Sequence, residues 1–113
     1  MQEIGHWING KRVSGTSGRF TEVFNPATGE VQARVALATL GELDHAIQEA
    51  AKAQVAWAAT NPQRRARVMM AFGALINRDM EKLAELVARE HGKTIPDAKG
   101  DVQRGLEVIE YCI

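Results

Sequence analysis

The stretch Val31-Gln32-Ala33-Arg34-Val35-Ala36-Leu37-Ala38-Thr39-Leu40-Gly41-Glu42-Leu43 is where the chain changes character. As far as Ala36 the residues alternate, with Val31, Ala33 and Val35 set against Gln32 and Arg34, which is the period of a strand. From Leu40 onward Leu43, Ile47, Ala51, Val55 and Ala58 recur at the spacing of a helix. Between the two patterns, Thr39 and Glu42 stand at the positions of a capping box, in which each side chain satisfies the other residue's free N–H. The switch predicts strands before residue 39 and helices after it.

Working back from this switch, Phe20 to Phe24 reads as a second extended run. It stops at Asn25-Pro26-Ala27-Thr28-Gly29, where proline fixes φ and glycine supplies a turn. Further back, His6-Trp7-Ile8 and Lys11-Arg12-Val13 flank Asn9-Gly10. Both residues of Asn-Gly tolerate the positive φ of a type I′ turn, so the segment predicts a hairpin. Working forward, Asn61-Pro62 is an N-cap followed by proline at N1, and Met69, Phe72, Gly73 and Ile76 form the next stripe. Asp79 is placed to cap a third helix that turns Met80, Leu83, Leu86 and Val87 inward and ends at Gly92. Thr94 opens a fourth, with Pro96 in its first turn and Asp97 at the capping-box position. The expected fold is α+β: a short β-hairpin and extended strands over residues 1–38, then four helices over residues 39–113.

The fourth helix carries two rows. Ala98, Val102, Gly105, Leu106, Ile109 and Ile113 share one stripe, while Arg104, Val108 and Tyr111 lie nearly opposite. A helix apolar on two faces is usually held between layers, and this chain offers little for the second face to meet.

Composition excludes several function classes. Lys plus Arg number 14 and Asp plus Glu number 14, so there is no basic footprint for nucleic acid or an anionic membrane. The Arg64, Arg65, Arg67 cluster reads as a solvated helix face. No apolar run reaches the ~20 residues that cross a bilayer. The N-terminus lacks a basic start followed by an apolar stretch, which predicts no signal peptide. A single cysteine, Cys112, cannot form an internal disulfide, and the expected location is the cytoplasm.

The candidates for chemistry are few. Gly92-Lys93-Thr94 looks like the end of a phosphate loop, but position 87 is Val where that loop needs glycine, and a helix precedes it rather than a strand. Cys112 lies near a helix C-terminus, whose partial negative charge opposes a thiolate. His6, His45 and His91 are scattered and read as solvated or capping residues, with no carboxylate at metal spacing. No Gly-x-Gly-x-x-Gly occurs. These observations predict no catalytic residue, no cofactor-binding residue and no metal site in the chain. Arg104 remains: a surface residue, or a guanidinium set among apolar neighbours to grip a carboxylate through two parallel hydrogen bonds.

Taken in order, Trp7-Ile8-Asn9-Gly10-Lys11, Phe24-Asn25-Pro26-Ala27-Thr28-Gly29-Glu30-Val31, the Ala-rich run Ala53 to Ala59 around Trp57, Arg64-Arg65-Ala66-Arg67 and Glu90-His91-Gly92-Lys93 resemble the N-terminal part of the aldehyde dehydrogenase superfamily. Within it, Gly92-Lys93-Thr94 and the run from Gly100 to Glu110, with Arg104-Gly105-Leu106-Glu107 at its centre, are most similar to the CoA-acylating methylmalonate-semialdehyde branch. The resemblance implies a piece of the α/β aldehyde dehydrogenase fold from a homo-oligomeric oxidoreductase. Such an enzyme uses NAD and coenzyme A as co-substrates. It converts methylmalonate or malonate semialdehyde to propionyl-CoA or acetyl-CoA with loss of CO2.

The family's nucleophile and nucleotide-binding segments have no match here, so the resemblance implies that NAD and coenzyme A do not bind this chain alone and that it is inactive alone. The one contribution it implies is Arg104, which would contact the distal carboxylate of the small semialdehyde substrate; Asp101 falls where some relatives hold a monovalent cation. The alternative to a dehydrogenase segment is a non-catalytic helical interaction module, and the remaining one an independent enzyme using Cys112.

Overall fold

The computed structural model describes all 113 residues. By contacts the chain divides into two compact units, Met1–Ala59 and Thr60–Ile113. No helix is long and apolar enough to cross a membrane.

The first unit contains strands β1 (Gln2–Ile4), β2 (His6–Ile8), β3 (Lys11–Val13), β4 (Phe20–Phe24) and β5 (Val31–Ala36), then helix α1 (Leu40–Ala59). The hairpin forms where Asn-Gly predicts it: β2 pairs antiparallel with β3, and Asn9 and Gly10 have φ of 52° and 71°. The three-stranded sheet has the order β1-β5-β4. Strand β4 runs antiparallel to β5, joined through the Asn25 turn, in which Asn25 Oδ1 accepts from the Ala27 N–H at 2.9 Å. Strand β1, not anticipated from the sequence, lies parallel to β5 with Gln2 opposite Ala33. On one face Arg34 pairs with Glu3 and covers the Phe20 ring, 4.2 Å from its centroid. At the end of β5, Ala36 is buried under Gly15, where an added Cβ would come within 2.6 Å of the Ala36 methyl.

Glu42 ties the start of α1 to the strand segment. The capping box forms as expected, Thr39 N–H to Glu42 Oε2 at 2.8 Å and Glu42 N–H to Thr39 Oγ1 at 3.0 Å. The other carboxylate oxygen accepts from the N–H and hydroxyl of Thr16, both at 2.7 Å. The Thr39 N–H first, and then the two Thr16 donors, lower the Glu42 pKa to about 2 from 4.5. A group depressed in this way adds stability that is fully present above pH 4.5 and disappears as the pH falls through about 2. Glu42→Gln is therefore expected to melt below the parent at pH 7, with the gap closing towards pH 2 in a pH series of thermal melts. A gap independent of pH would refute this.

The stripe along α1 does not form a core. No residue of this helix is buried, and Leu40, Leu43, Ile47 and Val55 are all exposed. Period sets which residues share a face; it does not supply what packs against them.

The second unit is three helices, α2 (Pro62–Arg78), α3 (Met80–His91) and α4 (Ile95–Tyr111). Helix α4 packs on both of the others. Ala84 of α3 and Ala98 of α4 are fully buried, small side chains that let backbones approach closely. Gly73 of α2 is buried against α4, and a Cβ there would stand 3.6 Å from Leu106 and Ile109, which is ordinary contact. Gly73→Ala is thus expected to stabilise by about 0.5–1 kcal/mol through helix propensity and lost unfolded-state freedom, read as a higher Tm. A drop in Tm would mean that the α2–α4 contact is tighter than it stands here.

Three of the predicted ends form: Asn61 Oδ1 accepts from the Gln63 N–H at 2.8 Å, Gly92 adopts φ 78° and donates its N–H to Ala88 O, and Thr94 accepts from the Asp97 N–H. Three expectations on these helices are corrected. Leu86, placed inward on α3, is 56% exposed, because Ala84 is the residue this helix buries. Asp79 occupies the N-cap position of α3 but makes no side-chain cap, because its carboxylate is bound by Arg78 at 2.7 Å. Phe72, placed on the inward stripe with Gly73, is 46% exposed, because the α4 contact is made by Gly73.

Candidate functional site

Helix α4 keeps the two rows its sequence pattern predicts, except that Gly105 and Ile113, placed on the inward stripe, are exposed, Ile113 lying past the end of the helix. Ala98, Leu106 and Ile109 are buried, whereas Val108 and Tyr111 on the other side are 63% and 92% exposed. Arg104 lies with the exposed row, its side chain 69% exposed. It is not a free surface cation. Its Nη2 donates to Asp101 Oδ1, the i, i+3 neighbour on the helix. The other oxygen, Asp101 Oδ2, accepts from Lys93 Nζ at 2.5 Å. Lys93 and Asp101 are much less accessible, at 29% and 28%. The Lys93 hydrogen bond first, and then that from Arg104, hold the Asp101 carboxyl below its usual range, so it is ionised at neutral pH.

Three residues therefore meet at the start of α4. Gly92 closes α3 in the left-handed conformation, Lys93 follows in the link, and Thr94 opens α4, so that Lys93 reaches the second turn of that helix. The sequence singles out Arg104; it offers Lys93 within family-like segments and Asp101 at a position where some relatives hold a cation, neither of them as a partner of Arg104. The i, i+3 spacing of Asp101 and Arg104 was the available signal for their pair. In this structure both oxygens of Asp101 are occupied by side-chain cations.

The other candidates stay apart. Cys112 is exposed at the end of α4, its N–H bonded to the carbonyls of Val108 and Ile109. No group of three His, Cys, Asp or Glu side chains could hold a metal. His6 departs from the solvated or capping role expected of it: its Nε2 is buried without a hydrogen bond, 3.6 Å from Glu42 Oε2. A cleft of about 470 Å³ in the first unit is lined by Glu3, His6, Trp7, Arg12 and Phe20 among others.

The Aldehyde dehydrogenase family matches residues 13–113, nearly the whole chain. The chain belongs to the aldehyde dehydrogenase family. Among its relatives, a Caenorhabditis elegans mitochondrial protein named for acylating methylmalonate-semialdehyde/malonate-semialdehyde dehydrogenase is 48% identical over 106 residues, which are 94% of this chain and 20% of that protein. A structure from Sinorhizobium meliloti 1021, solved with NAD under the name methylmalonate-semialdehyde dehydrogenase, is 63% identical with a TM-score of 0.96, covering 98% of this chain and 23% of the other. The methylmalonate-semialdehyde dehydrogenase of Oceanimonas doudoroffii gives 42% and 0.94, covering 99% of this chain and 23% of the other. The α+β arrangement seen here is thus a part of the aldehyde dehydrogenase fold. This aldehyde dehydrogenase chain spans about a fifth of the length of the curated relatives it matches.

Proposed function

We propose that this chain is the N-terminal, substrate-side part of a CoA-acylating semialdehyde dehydrogenase. In this reading the complete enzyme, a cytoplasmic homo-oligomer, oxidises methylmalonate or malonate semialdehyde with NAD and coenzyme A. It yields propionyl-CoA or acetyl-CoA, CO2 and NADH. Support comes from the high identity to relatives named for these semialdehydes, over almost all of this chain. The strands of residues 1–38 and the helices of residues 39–113 together make up this N-terminal portion.

The residues present do not fit an NAD or coenzyme A site. The one thiol is exposed at a helix C-terminus, and no glycine-rich phosphate turn leads from a strand into a helix. The single observation that carries the substrate assignment is Arg104, an exposed guanidinium braced by Asp101 beside the apolar Val108. Arg104 is assigned to the distal carboxylate, the group that distinguishes these semialdehydes from simple aldehydes. A guanidinium suits it because two parallel N–H donors match two carboxylate oxygens.

The test is product analysis. The complete protein, given methylmalonate semialdehyde, NAD and coenzyme A, should form propionyl-CoA and CO2 in step with NADH. Release of free methylmalonate with no thioester would overturn the acylating assignment.

A further inference from the structure

We propose that Asp101, clamped by Lys93, is a positioning residue that holds the Arg104 guanidinium ready for an anionic substrate group. The proposal rests on the carboxylate role assigned to Arg104 above and deepens it. An exposed arginine on a helix is a flexible side chain, and immobilising it on binding costs affinity. Here the immobilisation precedes binding. Asp101 Oδ1 takes the Nη2 donor, and Arg104 Nη1 lies 3.8 Å from where a Cβ would stand at Gly100. The guanidinium therefore folds back by one helical turn, to the level of Gly100.

Lys93 accounts for why Asp101 does not simply cancel Arg104. A carboxylate paired with one arginine would neutralise it and compete with an incoming carboxylate. Asp101 is shared instead: Oδ2 is bound to Lys93 Nζ at 2.5 Å, while Oδ1 faces Arg104. One carboxylate against two cations leaves one positive charge uncompensated, and the exposed member of the trio is the arginine. Asp101 uses a single Arg104 donor, which leaves the rest of the fork for a ligand. Anchors shielded and tip open is the arrangement expected of a preorganised cation.

The experiment compares kcat/KM for malonate semialdehyde and propanal in the complete enzyme carrying Asp101→Asn, Arg104→Ala or both. Asp101→Asn is expected to lower the malonate semialdehyde/propanal ratio about tenfold, mainly through KM. The double variant should be no worse than Arg104→Ala alone, because the two residues act as one unit. Should Asp101→Asn fail to fold, Lys93→Gln in the same assay is expected to lower the ratio in the same direction. An unchanged ratio in Asp101→Asn, or in Lys93→Gln where that stands in, beside a lowered one in Arg104→Ala overturns this inference alone. An unchanged ratio in Arg104→Ala overturns the carboxylate reading beneath it. Equal losses on both aldehydes, or additive effects in the double variant, make Asp101 merely structural and also overturn the inference.

Discussion

Arg104→Ala in the complete enzyme is expected to raise the KM for malonate or methylmalonate semialdehyde about 10- to 100-fold. That is the loss of a charge-assisted hydrogen bond to an ionised group. Propanal, with no carboxylate, gives the guanidinium nothing to hold, so its kcat/KM should change little. The selectivity follows from position: Arg104 stands on the exposed row of α4, opposite Leu106 and Ile109, so its truncation removes no core packing. Steady-state kinetics on the two aldehydes decide the matter. A loss of equal size on both would assign Arg104 to structure rather than to the substrate.

The second large effect belongs to the other face of the same helix. Leu106 is 4% exposed, and its Cδ1 comes within 3.6 Å of the Cβ position at Gly73. Leu106→Ala removes the transfer free energy of its buried atoms and leaves a cavity between α2 and α4, for an expected loss of about 2–5 kcal/mol. Val108, two positions on, is 63% exposed, and Val108→Ala should stay within about 0.5 kcal/mol in the 113-residue chain. Urea unfolding of both variants checks the contrast. A Leu106→Ala midpoint equal to that of the parent would mean that α4 does not centre the second unit.

What could be read in advance was chemistry local to the backbone. Asn9-Gly10 forms its hairpin, Thr39 and Glu42 cap each other, Asn61 caps α2 and Gly92 closes α3, because each of these is decided within a few residues. Contacts between distant segments were not legible. Strand β1 is three residues long and exists through a parallel partner about thirty residues away, a pairing that leaves no mark on Gln2-Glu3-Ile4. The apolar period of α1 marks a face, but nothing in a period tells whether that face is covered. His6 follows the same rule, since it is folding that sets it beside Glu42, whereas Asp79 is a local exception: the adjacent Arg78 takes its carboxylate from the cap.

At the candidate site the same division holds. Arg104 stood out because helical periodicity separates it from the core stripe, and that separation is seen in the structure. Its brace was hidden. Asp101 is one turn away and within reach of inspection, but Lys93 lies in the link before α4, and only folding brings its ammonium group to Asp101.

The central claim, a substrate-side segment of an acylating dehydrogenase that does no chemistry alone, is tested most directly by NADH formation. The 113-residue chain and the product of the full reading frame that contains it are each supplied with methylmalonate semialdehyde, NAD and coenzyme A. The account predicts CoA-dependent NADH formation from the longer protein and none from the 113-residue chain. NADH formed by the 113-residue chain itself, and abolished by alkylating Cys112, would contradict it.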